Sequence, residues 1–213
     1  QAELRRFFLS FVMALWQEES VLLVIVDYGL GNSQSVLNML AKIGVRAVIS
    51  NDHAVLASAD KLILPGVGAF DSGMCNLRRD NLVDILSELV IGKKVPILGI
   101  CLGMQLFAKS SEEGVEPGLG WLNARVVRFS KSSLGDLKVP NMGWRQIEAK
   151  SANDVLFTNM SELMRFYFVH SYHMVCECGE DVAAVSQYGA EYVVAIARGN
   201  IYGVQFHPEK SHQ

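Results

Sequence analysis

Gly99-Ile100-Cys101-Leu102-Gly103 joins the end of an apolar run to the start of a helical pattern. It has the shape of a nucleophile elbow with Cys in the place of Ser. Such a turn is strained, so small residues flank the nucleophile, and the sulfur of Cys101 would project above the carboxyl edge of a sheet. A helix amino end favours a thiolate through its dipole and free N–H groups. The Leu102 N–H would face a tetrahedral oxyanion. The five residues alone also fit a buried Cys in a plain βα turn. A cysteine nucleophile needs a base, and His53, His170, His173, His207 and His212 are available. His207 closes the run Tyr202–Phe206 and is followed by Pro208-Glu209. In extended chain Glu209 shares a side with His207, and Pro208 ends strand pairing there. A carboxylate beside an imidazole fixes its tautomer and stabilises the imidazolium. Cys101, His207 and Glu209 are therefore the predicted triad.

A second turn belongs to the same edge. Pro65-Gly66-Val67-Gly68-Ala69-Phe70 follows another apolar run, and its flexible backbone could offer a second oxyanion N–H. It lacks the Lys-Ser/Thr of a phosphate loop. Gly29-x-Gly31 lacks the third glycine of a dinucleotide fingerprint.

These turns need a scaffold. Val21–Val26 is a continuous apolar run that suits a strand buried on both faces, and Val45–Ser50, Lys61–Leu64 and Val95–Ile100 read as three further strands. Helical stripes lie between them: Val36 to Ile43, ending at Gly44, and Asp71 to about Ile91; a further helix starts over Leu102–Lys109. The alternation predicts an α/β fold, a doubly wound, mostly parallel sheet flanked by helices. Beyond Gly120 the runs Ala124–Phe129, Arg165–Val169, Val182–Ser186, Tyr192–Ala197 and Ile201–Phe206 predict an antiparallel extension. No linker divides the chain, so residues 21–213 read as one domain.

Of 213 residues, 50% are hydrophobic and 19% charged, which excludes intrinsic disorder. A net charge of −3 argues against a nucleic-acid binder working through a broad basic face. Cys75, Cys101, Cys176 and Cys178 have neither zinc nor redox-motif spacing, so no metal or other cofactor is expected. They read as reduced thiols of a cytoplasmic protein.

The motifs PGVGAF (65–70), GICLGMQL (99–106) and QFHPEKS (205–211) resemble those of the class I, triad-type glutamine amidotransferases. VDYGLGN (26–32), KVPNMGW (138–144) and FYFVHSYH (166–173) narrow the resemblance to the glutaminase subunits of imidazole glycerol phosphate synthase. The resemblance spans about Val24 to Ser211. It implies hydrolysis of glutamine to glutamate and ammonia. Cys101 would form a glutamyl thioester, His207 would shuttle the proton, and Glu209 would orient His207. Leu102 and a peptide N–H within Gly66, Val67 and Gly68 would hold the oxyanion, with Val67-Gly68 switched by a partner. Gln105, Glu113, His170, Ser171 and Tyr172 would bind L-glutamine. The implied partner is a (β/α)8-barrel synthase subunit that receives the ammonia and makes imidazole glycerol phosphate and AICAR in histidine biosynthesis. Asn32, Met142, Trp144 and Lys210 would meet it, as a heterodimer. No nucleic acid or membrane is implied.

Two departures qualify this. The resemblance leads one to expect His at Asn141 and Asn at Arg145, which leaves open a paralogous branch supplying ammonia for amidination of surface-polysaccharide sugars. A stand-alone cysteine hydrolase and a non-catalytic subunit are more distant alternatives. The family also usually continues past the HPEKS motif into one more helix. Residues 1–20 instead precede the first strand. Leu4, Phe7, Phe8, Phe11, Val12 and Leu15 fall on one helical face. Arg5-Arg6 faintly resembles an export signal, but no small-x-small cleavage site follows. This amino-terminal helical extension is expected to be a permuted closing helix, a cloning artefact or an unrelated extension.

Overall fold

The computed structural model describes residues 7, 21–150, 155–157 and 164–211. β1 (Leu23–Val26), β2 (Ala47–Ser50), β3 (Lys61–Gly66) and β4 (Ile97–Cys101) form a parallel half-sheet in the order β2-β1-β3-β4. The apolar runs of β1, β3 and β4 are buried on both faces, as interior parallel strands require, whereas the edge strand β2 is half-exposed, with Val48 turned to solvent. Alternate residues feed two cores. Leu23, Ile25, Ile63 and Leu98 face α1 (Ser33–Lys42) through Val36, Met39 and Leu40. Val24, Val26, Leu62, Leu64 and Ile97 face α3 (Phe70–Arg79) and α4 (Leu82–Ser87). The short α2 (His53–Ala57) is capped by Asp52, whose carboxylate accepts from the N–H groups of Ala54 and Val55.

Two predicted helices are cut short. The stripe from Asp71 to Ile91 breaks at Asn81, whose φ of 55° lies in the left-handed region, so α4 starts afresh and runs into a π-helical turn at Glu88–Gly92. The helix after Cys101 is only α5 (Leu102–Gln105). The carbonyls of Leu106, Phe107 and Ala108 instead accept from the N–H groups of Leu119, Leu122 and Gly120. A returning segment therefore replaces the helical ladder.

The second half of the chain completes the sheet. β13 (Ile201–Val204) lies parallel to β4, and β12 (Ala190–Arg198) pairs antiparallel to β13. β10 (Tyr172–Cys176), β6 (Ala124–Arg128) and the two-residue β5 (Ser110–Ser111) follow outward. β11 (Val182–Tyr188) joins β12 to the short β8 (Glu148–Ala149). A separate two-stranded sheet pairs β7 (Asn141–Gln146) antiparallel with β9 (Arg165–His170). The periodicity did not single out β7, whose Gly143 and mixed polar residues hide it. α6 (Lys131–Leu134) precedes this hairpin. Among the described residues no helix is long and apolar enough to cross a membrane.

The helix expected near the amino terminus lies outside the described residues except for Phe7. That ring is buried in the α1 core, 5.6 Å from Phe206 and 5.9 Å from Phe166 between centroids. Phe166 and Phe206 stack on each other at 4.0 Å. Phe7 thus packs directly behind the residue preceding His207.

Candidate active site

Cys101 ends β4 with φ 54° and ψ −109°, a conformation an L-residue rarely adopts. The flanking glycines are forced by contact. A Cβ on Gly103 would stand 1.8 Å from the Leu64 carbonyl oxygen, and one on Gly99 would stand 2.6 Å from the Met104 nitrogen. Neither neighbour is a flexible side-chain end, so only glycine fits. β3 runs alongside with Gly66 in register with Cys101, which brings the Gly66–Gly68 turn to the sulfur.

His207 follows β13, and its backbone N–H donates to the Tyr167 carbonyl of β9 at 2.9 Å. Its Nδ1 lies 2.8 Å from Glu209 Oε1, and Cys101 stands near enough for its charge to act on the imidazole. Glu209 comes into reach through a turn rather than an extended strand. Pro208–Lys210 is a single 3₁₀ turn, because Pro208 cannot donate to a ladder and supplies the first helical position. Burial alone would lower the His207 pKa. Hydrogen bonds to Cys101 and Glu209, and the negative charge on both, outweigh it and raise it to about 10. At neutral pH the imidazolium is therefore the favoured form. Glu209 Oε2 is buried with no hydrogen-bond partner among the described residues.

Cys101 and His207 meet at a cavity of about 540 Å³ lined also by Val67, Gly68, Leu102, Gln105, Glu113, His170, Ser171, Tyr172 and Lys210, while Glu209 is not part of its wall. It opens at the carboxyl ends of β3 and β4, where open α/β sheets place ligands. Val67 is exposed at its rim, and Gly68 has φ 108° with open space around its missing Cβ. Some lining groups are already engaged. Glu113 Oε2 accepts from the Phe70 N–H at 2.9 Å, which anchors the far end of the Pro65–Phe70 turn. The Ser171 carbonyl accepts from the Phe129 N–H.

Gln105 is buried, and its Nε2 donates to the Tyr172 carbonyl (3.1 Å) and to Gln205 Oε1 (2.9 Å). His170 Nδ1 donates to the same Tyr172 carbonyl at 2.8 Å, which leaves Nε2 as an acceptor for Asn141 Nδ2 at 3.2 Å. Burial pushes the His170 pKa down to about 3, aided by the charges of His173 and His207 and only partly opposed by the Tyr172 carbonyl. Asn141 also donates to the Tyr192 hydroxyl at 2.9 Å and accepts from Arg145 Nε at 3.1 Å.

Of the residues expected at an interface, Asn32 stands before α1 without a side-chain cap bond, and Lys210 is exposed at the cavity mouth. Met142 is 55% exposed on β7, while Trp144 is half-buried with its ring 6.3 Å from Tyr167. Sequence reasoning missed Gln205, Tyr28, Asn141 and Tyr192 as parts of the site. A polar residue inside the apolar run Gly203-Val204-Gln205-Phe206 was the available signal for Gln205. Tyr28 has no such signal. Its buried hydroxyl lies where a Cβ on Gly66 would come within 2.5 Å, and burial and the Cys101 charge raise its pKa. No group of three or more metal-binding side chains occurs among the described residues.

Comparison with known proteins gives the family and the fold. The family model for glutamine amidotransferase class-I matches residues 24–213. The imidazole glycerol phosphate synthase subunit HisH 2 of Methanococcus maripaludis is 50% identical over 90% of this chain and 94% of its own. HisH 2 of Pseudomonas aeruginosa is 48% identical over the same shares. Among solved structures, PurLQS from Thermotoga maritima superposes with a TM-score of 0.67 at 20% identity, covering 89% of this chain and 88% of its own. A glutamine amidotransferase crystal structure gives 0.65 at 22% identity over 87% and 90%. At those identities the structural likeness speaks for the fold, and the sequence matches carry the family. The chain belongs to the class-I glutamine amidotransferases.

Proposed function

We infer that this chain is the glutaminase subunit of an imidazole glycerol phosphate synthase, releasing ammonia from glutamine for histidine biosynthesis. The observation that carries the reading is that Cys101 and His207 meet at a cavity large enough for an amino acid, with Glu209 hydrogen-bonded to His207.

In the reading, the Cys101 thiolate attacks Cδ of the glutamine side chain, and the carbonyl π electrons move onto oxygen. The Leu102 N–H and a peptide N–H of Gly66, Val67 or Gly68 hold that oxyanion. Collapse breaks the C–N bond while the His207 imidazolium gives its proton to the leaving nitrogen, yielding ammonia and a glutamyl thioester. His207 then takes a proton from water, hydroxide adds to the thioester, and glutamate leaves as the thiolate is restored. Glu209 keeps His207 oriented and stabilises its cation. Both Nε2 hydrogens of Gln105 are committed, so its carbonyl oxygen is the atom left for a ligand. It would accept from the substrate's α-ammonium. Glu113, His170, Ser171 and Tyr172 complete the glutamine pocket.

Ammonia freed into neutral water becomes ammonium, which is no nucleophile. The reading therefore includes a partner that receives it dry, a (β/α)8-barrel synthase subunit in a cytoplasmic heterodimer. Exposed Met142 and Lys210, with Trp144 and Asn32, would form the contact. The Asn141–Arg145 hydrogen bond, where the family resemblance expects His and Asn, favours the sugar-amidinating paralogue as a second reading.

The test is glutamate release from glutamine by wild type and Cys101→Ala, with and without the synthase partner. The wild type releases glutamate, faster with the partner, and Cys101→Ala releases none above background. Release that survives in the alanine variant would defeat the thiol mechanism. Rescue of a histidine auxotroph separates the two pathways.

A further inference from the structure

The proposed triad leaves one contact to the sulfur unused. Gln205 is fully buried just beyond β13, and its side-chain nitrogen lies 3.5 Å from Cys101 Sγ. Amide nitrogen and oxygen differ in what they do to a sulfur, so the orientation of this amide matters. It is fixed by a series that starts at a backbone atom. The Tyr172 carbonyl can only accept, so the Gln105 atom facing it is Nε2. That same nitrogen faces Gln205, so the Gln205 atom receiving it is Oε1. The atom left toward Cys101 is then Nε2, a donor. A donor in this buried setting favours a charged sulfur over a neutral one.

We propose that Gln205 is a further catalytic residue, whose side-chain N–H holds the Cys101 sulfur as the thiolate while Gln105 and the Tyr172 carbonyl lock the amide in its donating orientation. The proposal rests on Cys101 being the nucleophile. Two side chains from the exit of β13 then act on the sulfur: Gln205 by its hydrogen bond and His207 by its charge. The other titratable groups facing it are Tyr28, whose hydroxyl senses the Cys101 charge, Glu209 behind His207, and neutral His170. Among these side chains the hydrogen bond to the sulfur comes from Gln205. Gln205 is absent from the cavity wall, so it acts on the sulfur and not on bound glutamine.

The experiment uses the full chain, as wild type, Gln205→Met and Gln205→Glu. The rate of Cys101 alkylation by iodoacetamide is followed against pH by peptide mass spectrometry, which separates Cys101 from exposed Cys75 and Cys178. Methionine keeps the volume without the donor, and glutamate keeps the shape but brings an anion. The midpoint of the alkylation profile moves up by roughly one unit in Gln205→Met and further in Gln205→Glu. With the synthase partner present, kcat for glutamate release falls roughly 10- to 100-fold while KM changes by less than about twofold. Midpoints unmoved in folded variants would overturn the proposal and leave the nucleophile reading intact. Release that survives Cys101→Ala would instead remove that reading. A measurement on unsubstituted protein covers variants that fail to fold. The Gln205 side-chain N–H signal in ¹⁵N NMR shifts when Cys101 is alkylated, and a signal that stays in place is equally fatal.

Discussion

The turn that carries Cys101 and the hairpin that carries Asn141 border the same cavity but are held by different physics. The turn is fixed by backbone contact. Gly99 and Gly103 sit where no Cβ fits, and a strained φ is held in place by the packed sheet on both sides. The hairpin pairs only β7 with β9. Around Asn141 it is held by side chains: Arg145 to Asn141, Asn141 to His170 and Tyr192, His170 to the Tyr172 carbonyl. A nucleophile needs one position and gains from rigidity. A wall that borders both substrate and an exposed strand can be re-formed by changing which polar groups meet, without disturbing the fold.

A pair of alanine substitutions tests the first half of this contrast and has the largest expected effect. In Gly103→Ala the new methyl meets the Leu64 carbonyl, and the strand or the helix must move. The protein loses more than about 3 kcal/mol of stability, read as a fall in urea midpoint, and glutamate release is abolished. Gly143 on β7 has φ 118° with open space around it. Gly143→Ala therefore bears only backbone strain, about 1–2 kcal/mol. Similar losses in both variants would show that packing does not distinguish the two regions.

The hairpin breaks in another way. Asn141→Leu preserves volume but removes a donor to His170, a donor to Tyr192 and an acceptor for Arg145. Stranding buried polar partners costs about 2–3 kcal/mol. The fold survives, because the parallel half-sheet is untouched, while KM for glutamine rises as His170 and the Tyr172 carbonyl lose their anchor. A rise in KM with the Cys101 alkylation rate unchanged sharpens the comparison. A fall in alkylation rate would mean that the two regions are one unit.

How much of this could be read from the residues follows the same division. The elbow was legible because its constraints are local: two glycines two residues either side of a cysteine, after an apolar run. The parallel half-sheet was legible for a related reason, since strands buried on both faces have continuous apolar runs. Helix ends were less so. Nothing near Leu106 shows that its carbonyl is claimed by Leu119. The His207–Glu209 pairing was found through a false geometry, extended chain, although the partners are those the 3₁₀ turn brings together. The polar network stayed hidden because Asn141, His170 and Tyr192 are distant in sequence, and each alone looks like an ordinary strand residue.

The two site histidines carry the contrast into acid–base behaviour, with the smallest effect of the series. His207 is held as a cation, so its contribution to stability is complete below the ordinary histidine range and fades as pH rises toward about 10. His170 is held neutral, with its pKa pushed down to about 3. Its contribution is complete above about 6.5, where the unfolded histidine is also neutral, and is lost as pH falls from there toward 3. At pH 5.5 the unfolded chain binds a proton at this position that the folded chain refuses, a loss of about 1.4 kcal/mol relative to pH 7.5. Urea unfolding of wild type and His170→Gln at these two pH values isolates it, since all other groups are shared. The glutamine variant is less stable at pH 7.5, but its stability falls less on acidification, by about that amount. If both proteins lose the same stability between the two pH values, His170 is protonated within the fold, and Asn141 cannot be donating to its Nε2.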